Sequence, residues 1–192
     1  MKLTCGIDEA GRGPLAGPVF AAAVILDPKI KIIDLNDSKK LSHKKLILLS
    51  NEIKNKALDY SFSSASVNEI DSINILNASL LAMFRAFSGL GLQPDHILVD
   101  GLYTPDIKGF KINAIVKGDS LIPEISAASI IAKVERDRYM CELDTKYPQY
   151  NLRKHKGYPT KEHIELLKTH GVIDIYRKSF RPVRDLIQKV DT

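Results

Sequence analysis

The sequence predicts an α/β layered fold, and three observations support this class. About five short runs with the apolar or alternating pattern of strands are interspersed with about five amphipathic stretches typical of helices. The chain has 192 residues and is 44% hydrophobic, so it can bury a core of ordinary size. Neither repeats nor low-complexity tracts divide it. We therefore expect a single domain over residues 1–192.

The first two predicted strands, Lys2–Asp8 and Val19–Leu26, form a hairpin-like pair. A turn rich in glycine and proline joins them over Gly11–Pro18. Side chains alternate along a strand, so Asp8 and Glu9 lie on opposite faces. Burying a carboxylate without a partner is costly, so either a cation meets the buried acid or the strand ends before it. Both outcomes indicate a functional site at this turn.

The middle of the chain predicts a helix, a strand and a second helix. Ser42 is a suitable N-cap for the first helix, and Tyr60–Val67 alternates as a third strand. Gly89 and Gly91 end the second helix. The apolar stripes, with members mostly three or four residues apart, are Leu46, Leu49, Ile53 and Ala57 in the first helix and Leu76, Leu80, Met83, Phe84 and Phe87 in the second.

Two short apolar strands, His96–Val99 and Lys111–Val116, are the last of the five. A long helix follows, with Pro123 acceptable in its first turn and Pro148 closing it. Its apolar stripe, again at helical spacing, consists of Ala127, Ile130, Ile131 and Val134.

The C-terminal part predicts short helices and carries the excess of positive charge. A basic and aromatic loop, Tyr150–Pro159, leads into a helix capped by Thr160, and Pro182 opens a last short helix. The formal net charge is +5 and the sequence pI is about 9.1. From Lys133 onward there are 14 lysines and arginines against nine acids, whereas the preceding residues balance. This distribution fits either a solvated basic surface or a face that binds a polyanion.

Cysteine content and hydropathy indicate in which cellular compartment the protein works. Cys5 and Cys141 are too few for a disulfide framework and lack metal-ligand spacing, so we expect small core residues in a reducing compartment. No apolar run approaches the length of a membrane span, and no signal-peptide pattern precedes the first strand. The sequence therefore predicts a cytoplasmic protein that does not enter a membrane.

Acids stand at or directly after the carboxyl ends of three predicted strands, each with a glycine nearby. They are Asp8 and Glu9 after the first, Asp100 after the fourth and Asp119 after the fifth. Polar turns end many strands, which alone explains any single acid. Three acidic strand ends instead favour a ligand site, because α/β sheets bind ligands at the carboxyl ends of strands. Converging carboxylates need a proton or a metal, and oxygen ligands favour Mg²⁺ or Mn²⁺. With the basic flank, they predict phosphoryl chemistry on nucleic acid.

The Gly11–Pro18 turn does not match the common phosphate loops. It lacks the Gly-Lys-Ser/Thr of a Walker A loop, and an apolar strand follows it where a dinucleotide fingerprint needs a helix. It offers backbone amides and Arg12 close to Asp8, which suits contact with a sugar–phosphate backbone. The alternative is that Arg12 pairs with Glu9 or satisfies local carbonyl groups.

Four motifs in order resemble those of type 2 ribonucleases H, the bacterial ribonuclease HII family. They are DEAGRGPLAG (residues 8–17), NDSKKLS (36–42), KGD with ISAASIIAK (117–119 and 125–133) and YPQY with HKGYPT (147–150 and 155–160). The resemblance covers nearly the whole chain.

The resemblance implies a ribonuclease H-like fold: a five-stranded mixed sheet flanked by helices, with a small helical C-terminal extension at about residues 145–192. It implies cleavage of the RNA strand of RNA–DNA hybrids and incision 5′ of single ribonucleotides embedded in duplex DNA. Similar enzymes use two divalent ions, Mn²⁺ or Mg²⁺, and leave 3′-hydroxyl and 5′-phosphate ends. The implied partners are RNA–DNA hybrid duplexes and DNA containing ribonucleotides, and we expect a monomer.

The family's functional residues can be carried over by motif match. The catalytic, metal-binding carboxylates fall on Asp8, Glu9, Asp100 and Asp119. The loop that senses the ribose 2′-hydroxyl falls on Gly11, Arg12 and Gly13, and the tyrosine that packs against the neighbouring deoxyribose on Tyr158. Phosphate contacts are expected from Lys39, Lys40 and Ser126.

Each of these assignments has a plainer alternative. Tyr158 could be a partly buried loop aromatic, and His155 and its basic neighbours could be solvated charge. Ser126 and Ser129 could be small because their helix packs closely on the sheet.

Other functions are also open at this point. One alternative is another two-metal nuclease of the same fold, a type 3 ribonuclease H or a junction resolvase, although the HKGYPT segment and the Gly-Arg-Gly loop argue against a resolvase. A non-catalytic nucleic-acid-binding module is the alternative from another class, although clustered acids weaken affinity for phosphate.

Overall fold

The computed structural model describes residues 2–35 and 41–190, and within them a five-stranded sheet has the order β3-β2-β1-β4-β5. The strands are β1 (Thr4–Ala10), β2 (Val19–Ile25), β3 (Asp59–Ala65), β4 (His96–Asp100) and β5 (Lys111–Ile115). β1 pairs antiparallel with β2 and parallel with β4, and β4 pairs parallel with β5. The carboxyl ends of β1, β4 and β5 therefore lie at the same end of the sheet.

Six α-helices accompany the sheet in the described residues. They are α1 (His43–Lys56), α2 (Val67–Ser88), α3 (Pro123–Lys146), α4 (Leu152–His155), α5 (Lys161–His170) and α6 (Arg181–Val190). α2 packs on one face through a core that includes Ile7 and Ile70, while α1 and α3 pack on the other through a core that includes Val24 and Ile130. Alternation along β1 therefore turns Asp8 toward α3. This mixed sheet flanked by helices confirms the predicted fold class.

The helix α3 lies directly on β1 at Gly6. A Cβ atom at Gly6 would come within 2.1 Å of the backbone carbonyl carbon of Glu124 in the first turn of α3, so only glycine fits. The buried residues of this part of α3 are correspondingly small: Ser126, Ala127, Ala128 and Ser129. Close packing thus accounts for their size, and it brings side chains of α3 to the end of β1.

The helix α2 begins well before its predicted apolar stripe. Ser66 caps it in a reciprocal capping box with Glu69. Its backbone is interrupted at Asn74, which has a φ of 67° and whose Oδ1 accepts hydrogen bonds from the next turn. The predicted stripe is partly wrong, because Met83 is buried but Phe84 is 43% exposed. The buried residues are mostly small, which allows close packing on the alanine-rich β2: Ile70, Ala78, Ser79, Ala82, Met83 and Ala86.

The C-terminal helices pack around a separate small core. α4, α5 and α6 contribute apolar residues to it, and so do Leu15 and Ala16 from the turn between β1 and β2. The segment predicted as a loop contains α4, which Asn151 and Lys156 flank with left-handed backbone conformations. These helices therefore cover the turn that follows the first acids, while a boundary near residue 145 stays a prediction. None of the helices in the described ranges is long and apolar enough to cross a membrane.

Candidate active site

The predicted carboxylates lie at the end of the sheet where β1, β4 and β5 have their carboxyl ends. Asp8 and Glu9 belong to β1, which continues to Ala10, so the strand does not end before the buried acid. Asp100 is the last residue of β4, and Asp119 lies in a short 3₁₀ turn after β5. Asp8 and Asp119 are buried, and the backbone amide of Asp119 donates to Asp100 Oδ1 at 3.3 Å. The fold thus gathers three acidic strand ends.

Burial and mutual repulsion make the ionised acids costly. Burial raises the pKa of Asp8 well above its usual range, and the charges of Glu9 and Asp100 raise it further. A hydrogen bond with Ser129 and one from the backbone amide of Glu9, at 2.7 Å, oppose this shift. Burial also raises the pKa of Glu9, against the lowering effect of Arg12. Negative charge is therefore crowded at this site beyond what its own hydrogen bonds compensate.

The donor set fits a hard divalent cation. Carboxylate oxygens line the site, without thiolate or imidazole, and such ligands suit Mg²⁺ or Mn²⁺ better than zinc. Across residues 2–35 and 41–190, however, no three acidic, histidine or cysteine side chains are grouped tightly enough to enclose an ion. Asp8 and Asp100 instead accept backbone amides, and Glu9 faces Arg12. An ionised carboxylate has about four lone-pair sites, so one such contact leaves others available for a cation.

The glycine loop, residues 11–18, lies beside the acids. Its first three residues, Gly11–Gly13, form the predicted sensor segment, and they line a cavity of about 280 Å³ together with Asp8, Glu9 and Asp100. The other residues that line this site cavity are Ala10, Ser129, Lys133 and Tyr158. Arg12 Nη1 lies 3.5 Å from Glu9 Oε1, so the alternative pairing of these residues is present. The site cavity thus combines acids, backbone amides and two cationic side chains.

Two fully buried arginines hold the glycine loop through hydrogen bonds to its backbone carbonyl oxygens. Arg136 of α3 donates to the carbonyl oxygens of Ala16 and Pro18. Arg177, in the segment before α6, donates to carbonyl oxygens of Gly11, Arg12 and Gly17. Sequence reasoning missed both arginines, because their charge is indistinguishable in the sequence from solvated charge.

Tyr158 stands at the rim of the site cavity and is 41% exposed. Its ring lies beside Gly13 and 5.9 Å from the guanidinium of Arg136. Its carbonyl oxygen contacts Nδ1 of His163 at 2.8 Å, and its amide donates to the carbonyl of His155 at 2.9 Å. The alternative that His155 is solvated charge is wrong, because His155 is buried and stacks on His163 with ring centroids 4.0 Å apart. A buried histidine pair therefore supports Tyr158.

This histidine pair predicts loss of stability in mild acid. Burial lowers the pKa of His163 to about 4, from a usual value of 6.5. The unfolded chain therefore binds this proton more readily than the folded protein does. The contribution of neutral His163 to the free energy of unfolding is complete above pH 6.5 and is lost as the pH falls toward 4. A pKa shift of this size corresponds to roughly 3 kcal/mol in the free energy of unfolding. Urea denaturation across this range should show a shallower pH dependence for His163→Gln than for the unmodified protein. Parallel pH profiles would contradict this account.

The remaining predicted residues are placed less closely. Lys39 and Lys40 lie outside the described residues. Ser126 is buried on α3, while Ser129 and Lys133, at helical spacing from it, line the site cavity, and a role for Ser126 stays a prediction. Sequence reasoning assigned no role to Ser129 or Lys133, although the spacing of three and then four residues from Ser126 was a usable signal.

The strand order and the carboxylates at the ends of its parallel strands define the ribonuclease H-like class of proteins. A family model described as ribonuclease HII matches residues 5–183. A protein named ribonuclease HII from Alteromonas mediterranea is 55% identical over 188 residues, covering 98% of each chain. Another of that name, from Shewanella pealeana, is 59% identical over 182 residues, covering 95% of this chain and 89% of its own. The chain belongs to the ribonuclease HII family.

A solved structure supports the same assignment. The crystal structure of ribonuclease H2 from Pyrococcus horikoshii has a TM-score of 0.85 and 27% sequence identity, and the match covers 99% of both chains. The predicted function class is confirmed: the chain is an endonuclease, a hydrolase of a family that depends on divalent metal ions. Family membership decides against the type 3 enzyme, the junction resolvase and the non-catalytic module.

Proposed function

We propose that this chain cleaves the RNA strand of RNA–DNA hybrids and incises duplex DNA on the 5′ side of a single embedded ribonucleotide. The products carry 3′-hydroxyl and 5′-phosphate ends. The observation that carries the proposal is the site cavity, where carboxylates and the Gly11–Gly13 segment lie side by side. Because both line one space, the phosphate that is cut lies next to the ribose that is recognised.

Four carboxylates would hold two Mg²⁺ or Mn²⁺ ions: those of Asp8, Glu9, Asp100 and Asp119. When bound, such ions lower the pKa of a water molecule and stabilise charge on the leaving 3′-oxygen. Asp8 is the candidate for a shared ligand, because the charges of both Glu9 and Asp100 act on it. Ser129 donates to Asp8 and orients its carboxylate.

The sensor segment selects the position to be cut. The 2′-hydroxyl is the group that distinguishes RNA from DNA at a given position. Gly11 and Gly13 have no side chains, so their backbone groups can approach this hydroxyl closely. Tyr158, at the rim, packs against the neighbouring sugar and favours deoxyribose. Arg12 and Lys133, which pair with Glu9 and Asp137 in the protein alone, would neutralise phosphates.

Residues farther from the site cavity complete the contact with duplex. Lys39, Lys40 and Ser126 are proposed phosphate contacts on the strength of their motif positions, and the basic C-terminal part extends the footprint. The substrates are then RNA–DNA hybrids and DNA containing ribonucleotides. We further propose that the chain acts as a monomer in the cytoplasm.

A Mg²⁺ titration on three duplexes tests the proposed function. One duplex carries a single ribonucleotide, the second is an all-DNA duplex of the same sequence, and the third is an RNA–DNA hybrid. We expect Mg²⁺-dependent cleavage of the first at the 5′ side of the ribonucleotide, cleavage of the third, and none of the second. Cleavage of all three duplexes, or cleavage that persists in EDTA, would refute the proposal.

The excess of positive charge from Lys133 onward predicts strong salt dependence of duplex binding. The logarithm of the association constant should fall against the logarithm of salt with a slope of about −0.9 for each neutralised phosphate. Lys133→Gln should make the slope shallower by about one phosphate, because Lys133 lines the site cavity. Lys108→Gln is the control, since Lys108 is almost fully exposed and does not line the site cavity. Fluorescence anisotropy without divalent ions measures the slopes, and a slope near zero for the unmodified protein would contradict the prediction.

A further inference from the structure

Arg177 is fully buried, and its guanidinium donates hydrogen bonds to three backbone carbonyl oxygens. Its Nη2 donates to Gly11 O at 2.6 Å and its Nη1 to Arg12 O at 2.9 Å. Its Nε donates to Gly17 O at 2.9 Å. A single side chain therefore ties the first residues of the glycine loop to its far end.

Burying this cation is costly. Burial lowers the pKa of Arg177 to about 9, and the nearby charge of Arg136 contributes to the lowering. A neutral apolar side chain of similar size would avoid the desolvation of a charge. What an apolar side chain lacks is the planar set of donors that reaches three carbonyl groups at once.

The segment that carries Arg177 is itself fixed on both sides. Its backbone amide donates to Leu15 O at 2.8 Å, and the amide of Gly17 donates to Ile175 O at 2.8 Å. Asp71 of α2 accepts hydrogen bonds from the backbone amides of Lys178 and Ser179, both at 2.9 Å. The guanidinium therefore extends from a rigid support rather than from a mobile tail.

The contacts of Arg177 fix two peptide planes of the sensor segment. In a trans peptide the C=O and the N–H point in opposite directions, and the described residues include no cis peptide bond. Holding Gly11 O toward the buried guanidinium therefore turns the N–H of Arg12 away from it. Holding Arg12 O does the same for the N–H of Gly13. Both residues with outward-turned amides line the site cavity.

We propose that Arg177 is a positioning residue for ribonucleotide recognition: it locks the Gly11–Arg12 and Arg12–Gly13 peptide planes so that their N–H groups face the ribose 2′-hydroxyl. The inference rests on the proposed function, because it assumes that the sensor segment contacts this hydroxyl. Arg136 also packs against Gly11, but it donates hydrogen bonds to Ala16, Pro18 and Lys156 and so does not orient the peptide planes of the sensor segment.

The substitution Arg177→Lys tests the proposal. Lysine keeps the charge, but its single ammonium cannot reproduce the planar fork that spans three carbonyls. We expect kcat/KM on the single-ribonucleotide duplex to fall by at least about tenfold relative to the unmodified protein. Binding of the all-DNA duplex without metal, measured by anisotropy, should not change, because phosphate contacts do not involve Arg177.

Tyr176→Phe is the matched control. Tyr176 is the preceding residue, is equally buried and contacts His163 Nε2 through its hydroxyl at 3.0 Å. Loss of this hydroxyl should lower the melting temperature without changing kcat/KM on the single-ribonucleotide duplex. If Arg177→Lys folds and keeps the kcat/KM of the unmodified protein on this duplex, or if Tyr176→Phe lowers that value as much, Arg177 is not a positioning residue.

Two further measurements separate the remaining outcomes. If the unmodified protein does not prefer the ribonucleotide duplex, the proposed function fails and the positioning role falls with it. If Arg177→Lys does not fold, Arg177→Gln carries the same test, since glutamine keeps a planar donor. If neither folds, NMR of the unmodified protein decides: the side-chain N–H resonances of Arg177 and the amides of Arg12 and Gly13 should shift further with the ribonucleotide duplex than with the all-DNA duplex. Equal shifts with both duplexes would overturn the proposal.

Discussion

Asp8→Asn should abolish cleavage while raising the thermal stability of the metal-free protein. The carboxylate of Asp8 is buried, and Glu9 and Asp100 repel its ionised form. Asparagine keeps an oxygen that can accept the amide of Glu9 and removes the buried charge. The free energy of unfolding in EDTA should rise by about 1 kcal/mol, which raises the melting temperature by roughly 2–4 °C for a chain of this size.

The same change removes a proposed metal ligand. Stabilisation of a transition state by bound metal ions contributes several kcal/mol, and each 1.36 kcal/mol is about tenfold in rate. We therefore expect the kcat on a single-ribonucleotide duplex to fall by roughly 10³-fold or more, with duplex binding retained. Asp100→Asn should lower kcat to a similar extent, since the carboxylate of Asp100 lines the same cavity.

A charge-matched control excludes a general effect of net charge. Asp106→Asn removes one negative charge at a highly exposed position, paired with Lys108, and should leave both cleavage and melting temperature unchanged. Substantial Mg²⁺-dependent cutting by Asp8→Asn would remove the two-metal mechanism. A lower melting temperature for Asp8→Asn would instead show that the buried carboxylate is compensated in the metal-free protein.

Gly11→Ala should destroy ribonucleotide recognition through a steric conflict inside the protein. Gly11 has a φ of 98°, and a Cβ atom there would come within 2.0 Å of Nε of Arg136. Arg136 is buried and donates to three carbonyl groups, so it cannot move aside without losing them. Backbone strain costs about 1–2 kcal/mol and overpacking about 1–3 kcal/mol.

The consequence for activity should exceed the consequence for folding. The conflict displaces the sensor segment relative to the acids, and a misplacement of about 1 Å can cost around 10²-fold in rate. We expect kcat/KM on the single-ribonucleotide duplex to fall by at least about 10²-fold. Steady-state kinetics and thermal denaturation of the same preparation measure the two effects.

Gly171→Ala separates the steric conflict from backbone strain. Gly171 has a φ of 81°, but no atom lies within 4 Å of its Cβ position. Its substitution should lower stability through strain alone and leave the kinetics unchanged. If both variants lose activity to the same extent, the contact between Gly11 and Arg136 does not set the position of the sensor segment.

The sequence anticipated the fold more fully than the environment of the acids. Hydrophobic period located all five strands to within a few residues, because side-chain alternation is a local property of the chain. The N-cap residue Ser42, whose side chain accepts a hydrogen bond from the amide of Lys45, located the start of α1. The periodic pattern wrongly placed Phe84 on the buried face of α2, because the burial of a helix face depends on how closely the helix approaches its sheet.

The position of the acids was predictable, whereas their contacts were not. Motif match and strand ends both indicated Asp8 and Asp100, and parallel pairing of β1 with β4 brings them to one end of the sheet. The pairing of Arg12 with Glu9 was left open by the sequence, because a charged side chain three residues away can turn toward several partners. The sequence favours solvated charge for His155 and does not single out His163, since burial of this pair depends on the packing of α4 and α5.

By itself, the sequence determined the α/β class, the five strands and the family to which the chain belongs. The tertiary structure alone decided which groups hold the glycine loop in place. Arg177 and Gly11 are 166 residues apart in the chain, and their contact depends on the C-terminal segment folding back over the turn after β1. Because every residue has a carbonyl group, a hydrogen bond to that group leaves no pattern in the sequence.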